Sequence, residues 1–215
     1  MKGSFLKLVF FLKTPFLKKD FEVFNYKDFF GILLLTLIFV VPFGLSLDYF
    51  GMDQFDSKSK DMLMSKKWLF IFSGIFLAPI LEEPIFRLHL DLKKSSIWWG
   101  IGLSVFILGQ AWWLWIALLG YLFFLLYQVN QGTPPSLKFV LWTSAAFFAL
   151  VHMGNFTDFD YTKYFYWVPF MVGAQFIVGL VLSYIRLNHG MRWAILFHGV
   201  YNAVLIILAI YFYEV

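Results

Sequence analysis

The chain has 215 residues, of which 61% are hydrophobic and 14% charged, and its mean hydropathy is +0.75. An ordinary soluble domain carries roughly 25% charged and 45–50% apolar residues, so that class is excluded. The absence of cysteine excludes disulfides, thiolate metal sites and a cysteine nucleophile. The net charge of +4 implies no nucleic-acid partner, because the lysines gather at the N-terminus, where positive-inside bias and anionic lipid headgroups account for them.

In chain order, residues 4–24 alternate Phe/Leu clusters with Lys and predict an amphipathic segment, bounded at residue 28, lying on the cytoplasmic face of a membrane. No cleavable signal peptide is expected, because Lys7 and Lys13 confine the first apolar run to five residues. Residues 29–215 form a helical membrane domain. Its first span is predicted at 29–47, followed by a polar loop at 48–67 with four Asp and four Lys. The second span, 68–90, contains "FLAPILEEPIFRLHL". Residues 97–129 form a 33-residue apolar run, longer than the ~20 residues one helix needs. It is expected to be a hairpin turning near Gly109-Gln110, with a single long tilted helix as the alternative. "NQGTPPS" at 130–136 is a loop by its Gly and Pro-Pro. Three further spans are expected at 138–153, 166–187 and 191–213. The runs are continuous rather than alternating, which excludes a transmembrane β-barrel. The expected fold is an all-α polytopic membrane protein of about seven spans (six to eight), bundled around a polar chamber. With the N-terminus inside, most Lys and Arg residues fall on cytoplasmic segments, half of them on the N-terminal arm.

Ionisable residues inside such spans are costly, at roughly 2.5–3.5 kcal/mol each at a helix centre, and therefore point to a site. Glu83 and Arg87 are four apart, share a helix face and can pair. Glu82 is rotated about 100° from Glu83 and needs another partner. His152 closes "FFALVH" four residues after Phe148, and His198 and Asn202 in "FHGVYN" present one polar face of the last span. His89, seven residues after Glu82, is an alternative partner. Each feature has a plain structural explanation: a Glu–Arg staple, a packing histidine, an interhelical Asn bond. Together, a carboxylate, two imidazoles and an amide fit water activation with oxyanion stabilisation. Pro79 and Pro84 bracket the glutamates and can bend the helix around them.

The ordered set "EExxxR" (Glu82, Glu83, Arg87), "FxxxH" (Phe148, His152) and "HxxxN" (His198, Asn202) resembles the CPBP family. That family comprises CAAX prenyl endopeptidases and bacteriocin-processing, Abi-type intramembrane proteases. "RLNHGMRWAILFHGVYN", with Arg186 and Gly190 ahead of the last histidine, resembles the family's final segment. The resemblance covers residues 68–205. It implies an endopeptidase in which Glu82 polarises a water, His152 holds that water, and His198 and Asn202 stabilise the oxyanion. Glu83 and Arg87 would be the supporting pair. Relative to the family the interval from Arg87 to His152 is long, as if the hairpin at 97–129 were an insert that covers the chamber or docks another membrane protein. Leu88 stands where many members have Gly.

The family is often labelled metalloprotease. HExxH is missing and Asn202 is a poor zinc ligand, so a metal-free, glutamate-activated water is favoured, with no cofactor. Were zinc bound, its ligands would be Glu82, His152 and His198. The expected partners are a membrane-embedded or membrane-associated peptide or protein substrate, lipid, and another membrane protein through the 97–129 insert. The expected location is the bacterial cytoplasmic membrane. Two other classes stay open: a non-proteolytic accessory subunit binding a membrane protein or lipidated peptide, and a transporter using the buried carboxylate. The transporter reading lacks an inverted repeat.

Overall fold

The computed structural model describes residues 2–51, 54–55, 57–107, 112–157 and 159–213. Among them the secondary structure is helical, and the sole strand-like feature is a single antiparallel bridge between Ser57 and Phe156. Lys2–Lys13 (α1) leads into an extended arm and then Tyr26–Tyr49 (α2). Lys58–Ser65 (α3) and Lys67–Phe72 (α4) precede a π-helical turn at Ser73–Leu77 and then Ala78–Arg87 (α5). A 3-10 turn at Leu88–Asp91 leads to Lys94–Leu103 (α6), a second 3-10 turn at Ser104–Ile107, and Trp112–Asn130 (α7). Leu137–Val151 (α8) ends in a 3-10 turn at His152–Asn155. Tyr161–Tyr164 (α9), Val168–Met171 (α10), Gly173–His189 (α11) and Met191–Tyr213 (α12) complete the described chain.

Five helical stretches among the described residues are long and apolar enough to cross a membrane: Tyr26–Leu47, Lys67–Asp91, Trp112–Asn130, Leu137–Asn155 and Met191–Tyr211. A sixth arises if Tyr161–Met171 and Gly173–His189, bent by 42°, are taken as one span. The chain is an all-α integral membrane protein. The difference from seven lies in the first arm of the 97–129 run. By helical rise, α6 and its 3-10 extension reach about 23 Å, short of the ~30 Å hydrocarbon core. The described part of this arm packs along α7. The expected turn at Gly109-Gln110 lies outside the described residues.

Local chemistry sets the helix ends. Ser136, following Pro134-Pro135, caps α8 by accepting the Phe139 N–H at 3.3 Å. Gly190 (φ 99) ends α11 and returns its N–H to the carbonyls of Ile185 and Arg186, as a positive-φ residue after a helix does. α11 lies centrally, against α8 and α12. Gly179 permits the approach to α8, where an added Cβ would stand 3.2 Å from both Ala145 and Phe148. Small residues at such crossings let helices gain packing that lipid cannot supply. The N-terminal segment joins the same core, since Leu8, Phe11 and Phe24 are buried with residues of α11 and α12. Aromatic and aliphatic side chains such as Phe30, Leu34, Ile38, Trp99 and Trp112 stay exposed on the bundle's outside, where lipid is the natural solvent.

Candidate functional site

The site is built on an irregular stretch ahead of the two glutamates. In an α-helix the Gly74 carbonyl would receive the Ala78 N–H, but here that N–H goes to Ser73, one residue further back. The next donor in the π register is residue 79, a proline with no N–H. The Gly74 carbonyl is therefore open within its own helix, and Asn202 of α12 donates Nδ2 to it at 2.8 Å. The α-helical donor to Ile75 would also be Pro79. Gly199 packs on that carbonyl so closely that a Cβ would stand 2.8 Å from its oxygen. α12 is thus seated on the π turn by a glycine and an asparagine, and His198, the residue before Gly199, is brought to the glutamates.

His198 touches both. Its Nδ1 lies 2.9 Å from Glu83 Oε1, and its Nε2 lies 3.9 Å from Glu82 Oε2. An ionised carboxylate only accepts, so Nδ1 carries the proton toward Glu83 and Nε2 is the nitrogen that faces Glu82. Glu83 Oε1 is also 3.4 Å from Arg87 Nη1, so the expected pair forms, with Glu83 shared between Arg87 and His198. Arg87 is fully buried, makes no side-chain hydrogen bond among the described residues, and lays its guanidinium 3.9 Å from the Phe148 ring centroid. Stacking on the aromatic face supplies part of what hydrogen bonds would.

Helix α8 brings Ser144, Phe148 and His152, spaced by four, to this face. Ser144 Oγ donates to the Phe86 carbonyl near the end of α5, which locks the depth of α8 against α5. One turn on, the Phe148 ring meets Arg87, His152 and His198, the two imidazoles at 4.9 and 5.8 Å. His152 Nδ1 donates to the Phe148 carbonyl at 2.6 Å, which leaves Nε2 as its free nitrogen. The sequence places Glu82, His152 and His198 at different depths of their spans. All three nevertheless line one cavity, with His152 opening the 3-10 turn that follows α8 at Val151.

Glu82, His152, Asn155, His198 and Asn202 line one cavity of about 580 Å³, which extends past Gly74 to Ser59 and Met62 of α3. Glu82 keeps 22% of its side chain accessible, whereas Glu83 keeps none. Lys58 holds α3 over this cavity by donating to the Gly154 carbonyl at 2.8 Å. Asn155, Ser59 and the π turn were not singled out by sequence reasoning, since no residue-type pattern marks them. The Pro79 cue pointed to the turn only indirectly.

His89 does not join Glu82. The helix tightens to 3-10 after Arg87, which rotates His89 away, and it is fully buried with Nε2 3.4 Å from the Tyr121 hydroxyl of α7. Asn202 lines the cavity but spends one amide hydrogen on Gly74, leaving one for a ligand. Among the described residues, no group of three or more His, Asp or Glu side chains is close enough to hold a metal ion. The chain matches no family model, no curated protein and no solved structure.

Proposed function

We propose that this protein is an intramembrane endopeptidase of the CAAX/CPBP type, placed in the bacterial cytoplasmic membrane with its N-terminus inside. The observation that carries the reading is His198 held by Glu83 through Nδ1, with Nε2 turned to an accessible Glu82 across a cavity that His152 also lines. A buried structural pair would shield both carboxylates; here one is shielded and the other is left at the cavity.

In this mechanism Glu82 takes a proton from a water positioned by His152 Nε2, and the water oxygen bonds to the carbonyl carbon of the scissile peptide. His198, in its imidazolium form, donates Nε2–H to the resulting oxyanion while Nδ1–H stays on Glu83. Asn202 gives its second amide hydrogen to the same oxygen. Glu82 then passes its proton to the departing nitrogen, the C–N bond breaks, and a carboxylic acid and an amine leave, the acid giving its proton to the amine as they separate. General acid–base help of this kind contributes about 100- to 10,000-fold, and an oxyanion donor about 100- to 1,000-fold.

The test compares cells expressing wild type and Glu82→Gln at equal membrane levels, with mass spectrometry of membrane-protein termini. New termini present only with wild type support the reading. Identical termini in both overturn the protease reading and leave a non-catalytic accessory subunit.

A further inference from the structure

At one end of the bundle a second cavity, about 670 Å³, lies between the N-terminal arm, the end of the Lys67–Asp91 span and the turn from α11 to α12. Its charged lining is Lys18, Lys19, Lys93, Arg186 and Arg192 against Asp91 alone. Lys18 pairs with Glu22, but Lys19, Lys93 and Arg192 make no ion pair among the described residues and are exposed. Arg186 is the unusual member. It is nine-tenths buried, its Nη2 is 3.7 Å from Asp91, and its guanidinium makes no hydrogen bond among the described residues. Asp91 is already engaged, accepting from the Lys93 backbone N–H and the Ser96 hydroxyl, both at 3.0 Å.

The start of α12 adds to this. The N-terminus of this 23-residue helix, at Met191, Arg192 and Trp193, lines the same cavity and presents unpaired N–H groups and the positive end of the helix dipole. The arm that closes the cavity is built in place. The Glu22 N–H bonds to the Asn188 carbonyl at 2.8 Å, His189 donates Nδ1 to the Glu22 carbonyl at 3.0 Å, and the Phe24 ring stacks on His189 at 4.1 Å. Leu17, Phe21, Leu187 and Trp193 give the lining an apolar part. The Lys67–Asp91 span ends and the Met191–Tyr211 span begins at this cavity, so it sits at the level where headgroups lie.

We infer that this cavity is a binding site for a phosphate-bearing anion at the membrane surface, with Arg186 as its buried anchor and Lys93, Arg192 and the α12 N-terminus as its rim. The shared chemistry is a phosphate mono- or diester, supplied by an anionic lipid headgroup or by a soluble phosphate compound. The site is remote from Glu82, which lies nine residues, about 13 Å of helical rise, from Asp91. It stands whether or not the chain is a peptidase.

The experiment measures thermal unfolding of the full chain in detergent with added dioleoyl phosphatidylglycerol, dioleoyl phosphatidylcholine or inorganic phosphate. Wild type, Arg186→Gln and the double variant Lys93→Gln/Arg192→Gln are compared. The expected result is a rise in Tm with phosphatidylglycerol, none with phosphatidylcholine, and loss of that rise in both variants. An equal, variant-sensitive rise with inorganic phosphate supports the site and names soluble phosphate compounds as its source. The exposed double variant decides the matter alone if Arg186→Gln fails to fold. A rise shared by phosphatidylcholine, a rise unchanged in the double variant, or no rise with any anion overturns the assignment.

Discussion

His198 Nδ1 lies 2.9 Å from Glu83 Oε1, and this bond separates the roles of two adjacent carboxylates. Glu83 is fully buried between His198 and Arg87, while Glu82 keeps access to the cavity. Glu82→Gln is therefore expected to keep the fold, with a melting temperature close to wild type, and to lose peptide cleavage by about 100- to 10,000-fold, the worth of a general base. Glu83→Gln should instead fail in stability, because it strands Arg87 as an uncompensated buried charge, a loss of about 3–5 kcal/mol. Thermal melts and a cleavage assay on the same preparations check the split. Equal destabilisation by the two variants would sink it.

The spacing of polar residues made much of this site legible. Glu83 to Arg87, Phe148 to His152 and His198 to Asn202 are each four apart, so each pair shares a helix face whatever the tertiary packing. The spans at α2, α7 and α12 were equally plain, being long apolar runs bounded by polar residues or loops. The sharing of Glu83 was not legible. It depends on the rotation and depth of α12 against α5, which Gly199 and the open Gly74 carbonyl determine. Likewise, apolar content could not show that α6 gives way to a 3-10 turn at Ser104, nor that 3-10 tightening after Arg87 turns His89 toward Tyr121.

Gly199 is where space, not chemistry, is decisive. An added Cβ would meet the Ile75 backbone oxygen at 2.8 Å, and backbone cannot swing aside. Gly199→Ala should push α12 off the π turn and destabilise by about 1–3 kcal/mol, as overpacking does. Cleavage should fall further than stability alone explains, since His198 and Asn202 ride on the same helix. Gly120→Ala in α7, where a Cβ meets nothing within 4 Å, is the control and should be neutral or slightly stabilising. Melting temperatures of the two variants side by side check the contrast.

The N-terminal arm carries a pH dependence. Glu22 lies outside the spans, and its hydrogen bond with Lys18 holds its carboxyl below the usual carboxylate range. A depressed folded-state value means the stabilisation is present above the unfolded value and is lost as pH falls through the folded one. The pair is partly exposed, so its worth is at most about 1 kcal/mol. Protease cleavage after Lys18 and Lys19 should therefore rise modestly below the ordinary carboxylate range in wild type. In Glu22→Gln it should already be raised at neutral pH and show little further change. An arm whose protection ignores both pH and this substitution would refute the assignment.

The π turn yields the sharpest test of how the site is assembled. Asn202 donates to a Gly74 carbonyl that is open because Ala78 N–H bonds Ser73 and Pro79 has no N–H. Asn202→Leu should leave that carbonyl unsatisfied and lose about 1–3 kcal/mol. Pro79→Ala restores an N–H at the position from which the Gly74 or Ile75 carbonyl can be reached, so in its presence Asn202→Leu should lose less. The double-mutant cycle is accordingly expected to show coupling of about 0.5–3 kcal/mol between residues with no bond between them. Additive losses would mean the Gly74 carbonyl is not the link. Activity distinguishes the second role of Asn202: if its free amide hydrogen serves the oxyanion, Pro79→Ala restores the stability of Asn202→Leu without restoring its cleavage rate.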